Sequence, residues 1–350
     1  MGMLAGEACI CWHSHGILKH TARFHGTLAA GRVCTAGETM MMMRWSMRAL
    51  LSVVVLALLV GCGQATPVTT LTPVFAFTEA VVGPNRLPIG IIQDGSPVND
   101  PAAQVTLRFF DLAQDPNGAN PLGSATATYY GAGLPAAVYV ANFDFPTAGN
   151  WGVEVQVMRT GMTEPSVSRL QLAVSDRAIA PKVGDTAIVA DTLTPASVSD
   201  AQQLVSSNDA NLALYQVNLR DALVAQRPIA LLFATPGFCR TAVCGPSLQV
   251  FSQLHQQFGA DIDFIHSEIY RFPFSDSFAQ QNDIFQQAMR EGRGLTDAER
   301  KVGVSDAYYA WGLQSEPWLF LIDRNGVIVK RYEGGLTSEE LTPDLQALLP

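Results

Sequence analysis

The chain has 350 residues, with 22 Lys and Arg against 31 Asp and Glu and a net charge of −9. This length is enough for two domains of ordinary size. The charges are scattered and form no basic patch, which excludes nucleic acid as an expected partner, and the acidic balance makes the chain self-repelling.

Residues 1–43 read as a mis-assigned or disordered N-terminal extension. Cys9, Cys11, Cys34, His13, His15, His20 and His25 fall there, at spacings that fit no zinc template. Met40 to Met43 and Met47 offer later starts. Residues 44–61 then follow the order of a secretory signal peptide: Arg44 and Arg48, an apolar run from Ala49 to Val60, and a small residue, Gly61. The run is too short for a comfortable membrane span. Leu59-Val60-Gly61-Cys62 resembles the lipobox of bacterial lipoproteins, which implies lipidation of Cys62. The expected location is the cell envelope, extracytoplasmic and lipid-anchored to a membrane, where disulfides persist. With Cys62 lipidated, Cys239 and Cys244 are the only thiols left to the mature chain. They pair with each other or with a partner.

Residues 62–73, rich in Thr, Pro, Gly and Gln, read as a tether. Residues 74–176 read as all-β. Val105, Leu107 and Phe109 alternate with other residues, as do Val153, Val155 and Val157, and Gly83-Pro84, Asp94-Gly95 and Gly149-Asn150 mark turns. About seven short strands in this length predict a β-sandwich. The stretch Phe143 to Val157, with its Gly-Asn-Trp turn, resembles the later strands of immunoglobulin-like envelope domains. This region has no Cys or His. Trp151 is expected in the core or at a corner. The sandwich reads as a spacer or partner-binding module, with Tyr129 and Tyr130 as its distinctive surface candidates.

Residues 177–188 read as a linker, and Ala180 to Ala187 resembles the opening of redoxin domains. Residues 189–350 alternate helix and strand signals. Helix is predicted over Leu219–Ala225 and buried strand over Ile229–Ala234. Pro246–Phe258 has helical spacing at Leu248, Phe251, Leu254 and Phe258. Strand follows over Ile262–Tyr270, and helix at least around Asn282–Arg290. Trp318–Asp323 and Val327–Tyr332 pair across Asn325-Gly326, and Thr337–Leu349 closes the chain as a helix.

Cys239 and Cys244 stand between the buried strand and the helix opened by Gly245-Pro246. A helix N-terminus presents unsatisfied N–H groups and the positive end of the dipole, which favour a thiolate. An uninterrupted helix would turn residues five apart to divergent directions, so residues 240–243 are expected to form a small loop. The cysteine pair, Glu316-Pro317 before a strand, and the final hairpin and helix together resemble a thioredoxin-like domain of the redoxin, TlpA and ResA type. The fold class is therefore expected to be multidomain, an all-β immunoglobulin-like sandwich followed by an α/β thioredoxin-like domain.

That resemblance implies a membrane-anchored thiol–disulfide oxidoreductase with a redox-active disulfide. Cys239 would attack, Cys244 would resolve, and Pro317 would be a cis-proline facing them. It implies no cofactor. Its partners would be exported thiol or disulfide proteins, or an electron-donating redox protein. The site departs from the pattern at Phe238, where Trp is usual, at Phe233, where thioredoxins carry a buried acid, and at Glu316, where a small or β-branched residue is usual. Glu268 is the candidate replacement acid, on a strand where His266, Glu268 and Tyr270 would share a face. Arg240 is a candidate support for a thiolate. Three other readings compete. Thr235 to Cys244 resembles a peroxiredoxin site with the same cysteine spacing but with Phe238 inserted. Two thiols with His255 or His266 would suit Cu(I), as in Sco-like chaperones. The bridge could also be structural in a redox-inactive binding lipoprotein.

Overall fold

The structure is a computed structural model that describes residues 70–207, 211–239 and 243–349. The N-terminal extension, the signal segment, Cys62, most of the tether and Arg240 lie outside the described residues. Among the described residues, no helix is long and apolar enough to cross a membrane.

Alternation of apolar and polar residues builds nine strands in the first half: β1 (Leu71–Phe75), β2 (Ala80–Val81), β3 (Gly83–Gln93), β4 (Ser96–Pro97), β5 (Gln104–Asp111), β6 (Gly123–Tyr130), β7 (Val138–Phe145), β8 (Gly149–Met158) and β9 (Ser166–Ser175). They form one sheet in the order β1-β3-β7-β6-β5-β8-β9-β2, with β4 on β3. The sheet is curled, and β6 makes the turn. Gly123 to Ala127 pair with β5, while Thr128 to Tyr130 pair with β7. The apolar faces then meet. Phe109 stacks on Phe143 at 3.9 Å, and Phe145 meets Trp151 edge-on at 5.0 Å. Trp151 is fully buried, and its indole N–H donates to Thr147 O at 3.1 Å. Each such side chain removed from water contributes roughly 1.5–3 kcal/mol. Tyr129 is partly buried and rests on Tyr139, so it packs on the core.

In the second half the sheet order is β11-β10-β12-β13, formed by β10 (Ile229–Phe233), β11 (Asp263–Ser267), β12 (Trp318–Ile322) and β13 (Ile328–Glu333). β10 runs parallel to β11 and antiparallel to β12, which is antiparallel to β13. Every residue of β10 is buried, as its unbroken apolar run requires. Six helices accompany these strands: α1 (Leu219–Ala225), α2 (Cys244–Phe258), α3 (Phe274–Arg290), α4 (Asp297–Lys301), α5 (Asp306–Ala310) and α6 (Ser338–Leu348). α2 and α6 cover one face through Leu248, Phe251, Leu254, Leu341 and Leu345. Leu219 and Ala222 of α1, Ala307 of α5 and Trp311 cover the other.

Some boundaries differ from expectation. β11 stops at Ser267, which is the last residue in register with β10 at Phe233. Glu268 and Tyr270 therefore lie beyond the strand. In the final hairpin only Gly326 takes a left-handed φ, of 76°, and the Asp323 carboxylate accepts the N–H groups of Asn325 and Val327. The stretch read as a linker is bonded to this hairpin. Gly184 N–H donates to Ile328 O, Ile328 N–H to Asp185 O, and Ala187 N–H to Gly326 O.

The two halves belong to one compact unit, Val68–Pro350. Paired charges join them. Arg86 forks onto Glu340 at 2.7 and 2.8 Å and also donates to Glu333 O. Thr78 donates its N–H and hydroxyl to the Glu333 carboxylate, and Arg331 pairs with Glu79 at 2.9 Å. These links hold β13 and the start of α6 against the β-rich domain.

Candidate functional site

The chain leaves β10 at Phe233, passes Thr235-Pro236-Gly237 and reaches Cys239. Cys244 is the first residue of α2. Pro246 sits two residues further in, rather than opening the helix. The first turn has no intrahelical use for its N–H groups, so a proline there costs no hydrogen bond. Cys239 and Cys244 form a disulfide with their Cα atoms 6.2 Å apart. Cys239 is partly exposed, and Cys244 is fully buried. Of the loop between them, only Val243 is described.

Two carboxylates reach this junction from other strand ends. Glu316 precedes β12 and is followed by Pro317, which is buried and joined to it by a cis peptide bond. Glu316 accepts the backbone N–H of buried Thr235. One of its oxygens and both sulfurs lie within 4.8 Å of one another. Burial pushes the Glu316 carboxyl up to about 7, against the opposing bond from Thr235.

Glu268 follows β11 and is buried. It accepts the N–H of Ser206 at 2.8 Å and the Ser206 hydroxyl at 3.0 Å. Burial pushes it up to about 8, against those bonds. The same Ser206 hydroxyl accepts Gly237 N–H at 3.0 Å. A Cβ at Gly237 would lie 2.1 Å from Ser206 O, so only glycine allows this approach. Glu268, Ser206 and the loop leading to Cys239 are thus bonded in sequence.

His266, Glu268 and Tyr270 do not share a site-facing surface. His266 is buried against Tyr215, whose hydroxyl is 2.5 Å from Nδ1, while Nε2 faces Ala234 O at 3.0 Å. A carbonyl can only accept, so Nε2 carries the proton and Nδ1 receives the tyrosine hydroxyl. Burial lowers the imidazole to about 4 and keeps it neutral. Tyr270 instead packs edge-on against Phe278, which also contacts Phe238. Phe233 faces away from the pair, toward Trp311 and Phe320. A cavity of about 630 Å³ lies beside Glu316 and is lined by Tyr270, Asn282, Phe285, Arg300 and Tyr308.

Glu316 is the site residue that sequence reasoning passed over. It was visible only as a departure before Pro317, and its bond to Thr235 spans 81 positions. Ser206, in the run Leu204-Val205-Ser206-Ser207, gave no signal at all.

Residues 215–349 match the sequence profile of the thioredoxin-like domain family. The structural comparison includes a Chlorobium tepidum protein described as a thiol:disulfide interchange protein DsbE, 16% identical, covering 48% of this chain and 96% of that one with a TM-score of 0.29. A DUF4426 family protein from Pseudomonas aeruginosa is 14% identical over 27% of this chain and 77% of its own, with a TM-score of 0.21. A hypothetical protein from Pyrococcus horikoshii is 16% identical over 31% and 92%, also at 0.21. No curated protein matches the chain. Residues 215–349 are a thioredoxin-like domain carrying the Cys239–Cys244 disulfide, C-terminal to a large β-rich domain.

Proposed function

We propose that the protein is an extracytoplasmic thiol–disulfide oxidoreductase, held to a membrane through lipid on Cys62, with Cys239 and Cys244 as its redox pair. One observation carries this reading: a disulfide at the strand-to-helix junction of a thioredoxin-like domain, with one sulfur partly exposed and the other buried. In the reduced state the Cys239 thiolate attacks one sulfur of a substrate disulfide. A Cys239–substrate bond forms, the substrate S–S bond breaks, and the released thiolate takes a proton from solvent. Cys244 then attacks the Cys239 sulfur, the mixed disulfide breaks, and the second substrate thiol leaves. The substrate gains two electrons and the pair is oxidised. A dithiol partner reverses the change on the protein.

Cys244 must lose its proton inside the fold. A carboxyl raised to about 8 lies close to an ordinary thiol of about 8.5, so transfer between them is nearly balanced. The ionised form of Glu268, whose share grows as pH approaches 8, is assigned this proton-accepting role, and Pro317 the role of a substrate-facing turn. The β-rich domain is read as an immunoglobulin-like spacer or partner-binding module, with an interior built from aromatic and aliphatic side chains. The test is insulin or glutathione-disulfide reduction with a thiol donor. Activity in the wild type that disappears in Cys239→Ser supports the reading. Equal rates in the two proteins would refute it.

A further inference from the structure

Cys239, Cys244 and Glu316 each offer a ligand atom at one point, and the three atoms all lie within 4.8 Å of one another. We propose that the dithiol form of the protein binds one divalent cation of the zinc class through these three side chains. The proposal rests on the reading above that the pair can be reduced.

A tetrahedral zinc ion holds sulfur at about 2.3 Å and carboxylate oxygen at about 2.0–2.2 Å, which sets neighbouring donors roughly 3.3–3.8 Å apart. Opening the S–S bond lets the sulfurs separate toward that spacing from Cα atoms 6.2 Å apart. Glu316 is already oriented, because the Thr235 N–H holds one end of its carboxylate. Such outer contacts fix a ligand in place before the ion arrives. Two thiolates and a carboxylate bring three negative charges into a partly buried site, and a divalent ion offsets two of them. The donor set also discriminates. Cu(I) favours sulfur alone, whereas two sulfurs and a hard oxygen suit a borderline ion such as Zn²⁺. His266 has both ring nitrogens engaged elsewhere and supplies no ligand. Glu316 also borders a cavity shared with Tyr270 and Tyr308, which gives water a route to its carboxylate.

Binding has a functional consequence. A phosphine opens the bridge, is itself oxidised to the phosphine oxide with oxygen from water, and leaves two S–H groups. Zn²⁺ then displaces both protons and occupies both thiolates. Neither is free to attack a disulfide, so the ion holds the pair reduced and silent until a chelator removes it.

The experiment uses phosphine-reduced protein from Gly63 onward, in which Cys239 and Cys244 are the only cysteines, with thiols counted first. Zinc and Co²⁺ titrations follow, reading stoichiometry and the cobalt–thiolate absorption band. The expected result is two thiols, one ion per chain, and affinity weakened at least about tenfold in Glu316→Gln. Slower reoxidation by glutathione disulfide in zinc, reversed by chelator, is expected alongside. Two thiols with no binding at micromolar zinc would overturn the site and leave the redox reading intact. Equal affinity in wild type and Glu316→Gln, with folding confirmed by circular dichroism, would overturn Glu316 as a ligand. A pair that the phosphine does not open would overturn the redox reading and this site together.

Discussion

Replacing Glu268 by Gln should change how stability depends on pH. The carboxyl titrates at about 8 in the folded protein and near 4.5 in an unfolded chain, with burial as the main cause. Between those values the folded state holds a proton that the unfolded state does not, so stability falls as pH rises through this window. One pH unit inside the window is worth at most about 1.4 kcal/mol. From pH 5 to pH 7, Glu268 therefore removes roughly 2–3 kcal/mol of wild-type stability. Glutamine cannot titrate, and its amide oxygen can still accept the Ser206 N–H. Urea unfolding of both proteins at pH 5, 6 and 7, with the disulfide intact, isolates the effect because the other groups cancel in the difference. A constant offset between the proteins reports local repacking; the slope is the readout. Parallel lines across the three pH values would show that Glu268 is not held protonated by burial.

Arg86→Ala strips the partner from Glu340 in a pair whose side chains are only 11% and 9% exposed, and should cost about 3 kcal/mol in urea unfolding. A loss under about 0.5 kcal/mol would mean the pair behaves as a surface contact. Gly237→Ala pushes a methyl group into Ser206 O, and should cost roughly 1–3 kcal/mol. It should also flatten or shift the pH dependence assigned to Glu268, since Ser206 holds both; an unchanged melting curve would refute the close approach. In reduced protein, iodoacetamide should label Cys239 before Cys244, because only Cys239 is partly exposed. Cleavage after Arg240 separates the two cysteines for mass analysis, and equal labelling rates would contradict their different burial.

Much of the second domain was legible because its signals are local. The apolar run of β10, the helical spacing from Leu248 to Phe258 and the Asn325-Gly326 turn each declare an element within a short window. The cysteine pair was legible for the same reason. The acids around it were not, because Glu316 and Glu268 meet the Thr235 to Cys239 loop through contacts between strand ends far apart in sequence. Glu268 was singled out as a replacement acid, yet the face it was expected to share with His266 and Tyr270 does not form, since alternation suggested a strand continuing past Ser267. Pairing with β10 ends there, and the chain turns inward to Ser206. In the first domain alternation gave the strands but not their arrangement. Gly123 to Tyr130 reads as one strand either way, and only the structure shows it changing partner from β5 to β7.

Electron exchange between the Cys239–Cys244 pair and other thiols is the proposed activity. It is tested most directly by equilibrating the protein in graded thiol–disulfide buffers and trapping the reduced fraction by alkylation. A reversible two-electron transition at a potential above about −300 mV is the expected result. A pair that stays oxidised below about −300 mV and resists alkylation would be a structural bridge, and would contradict the account.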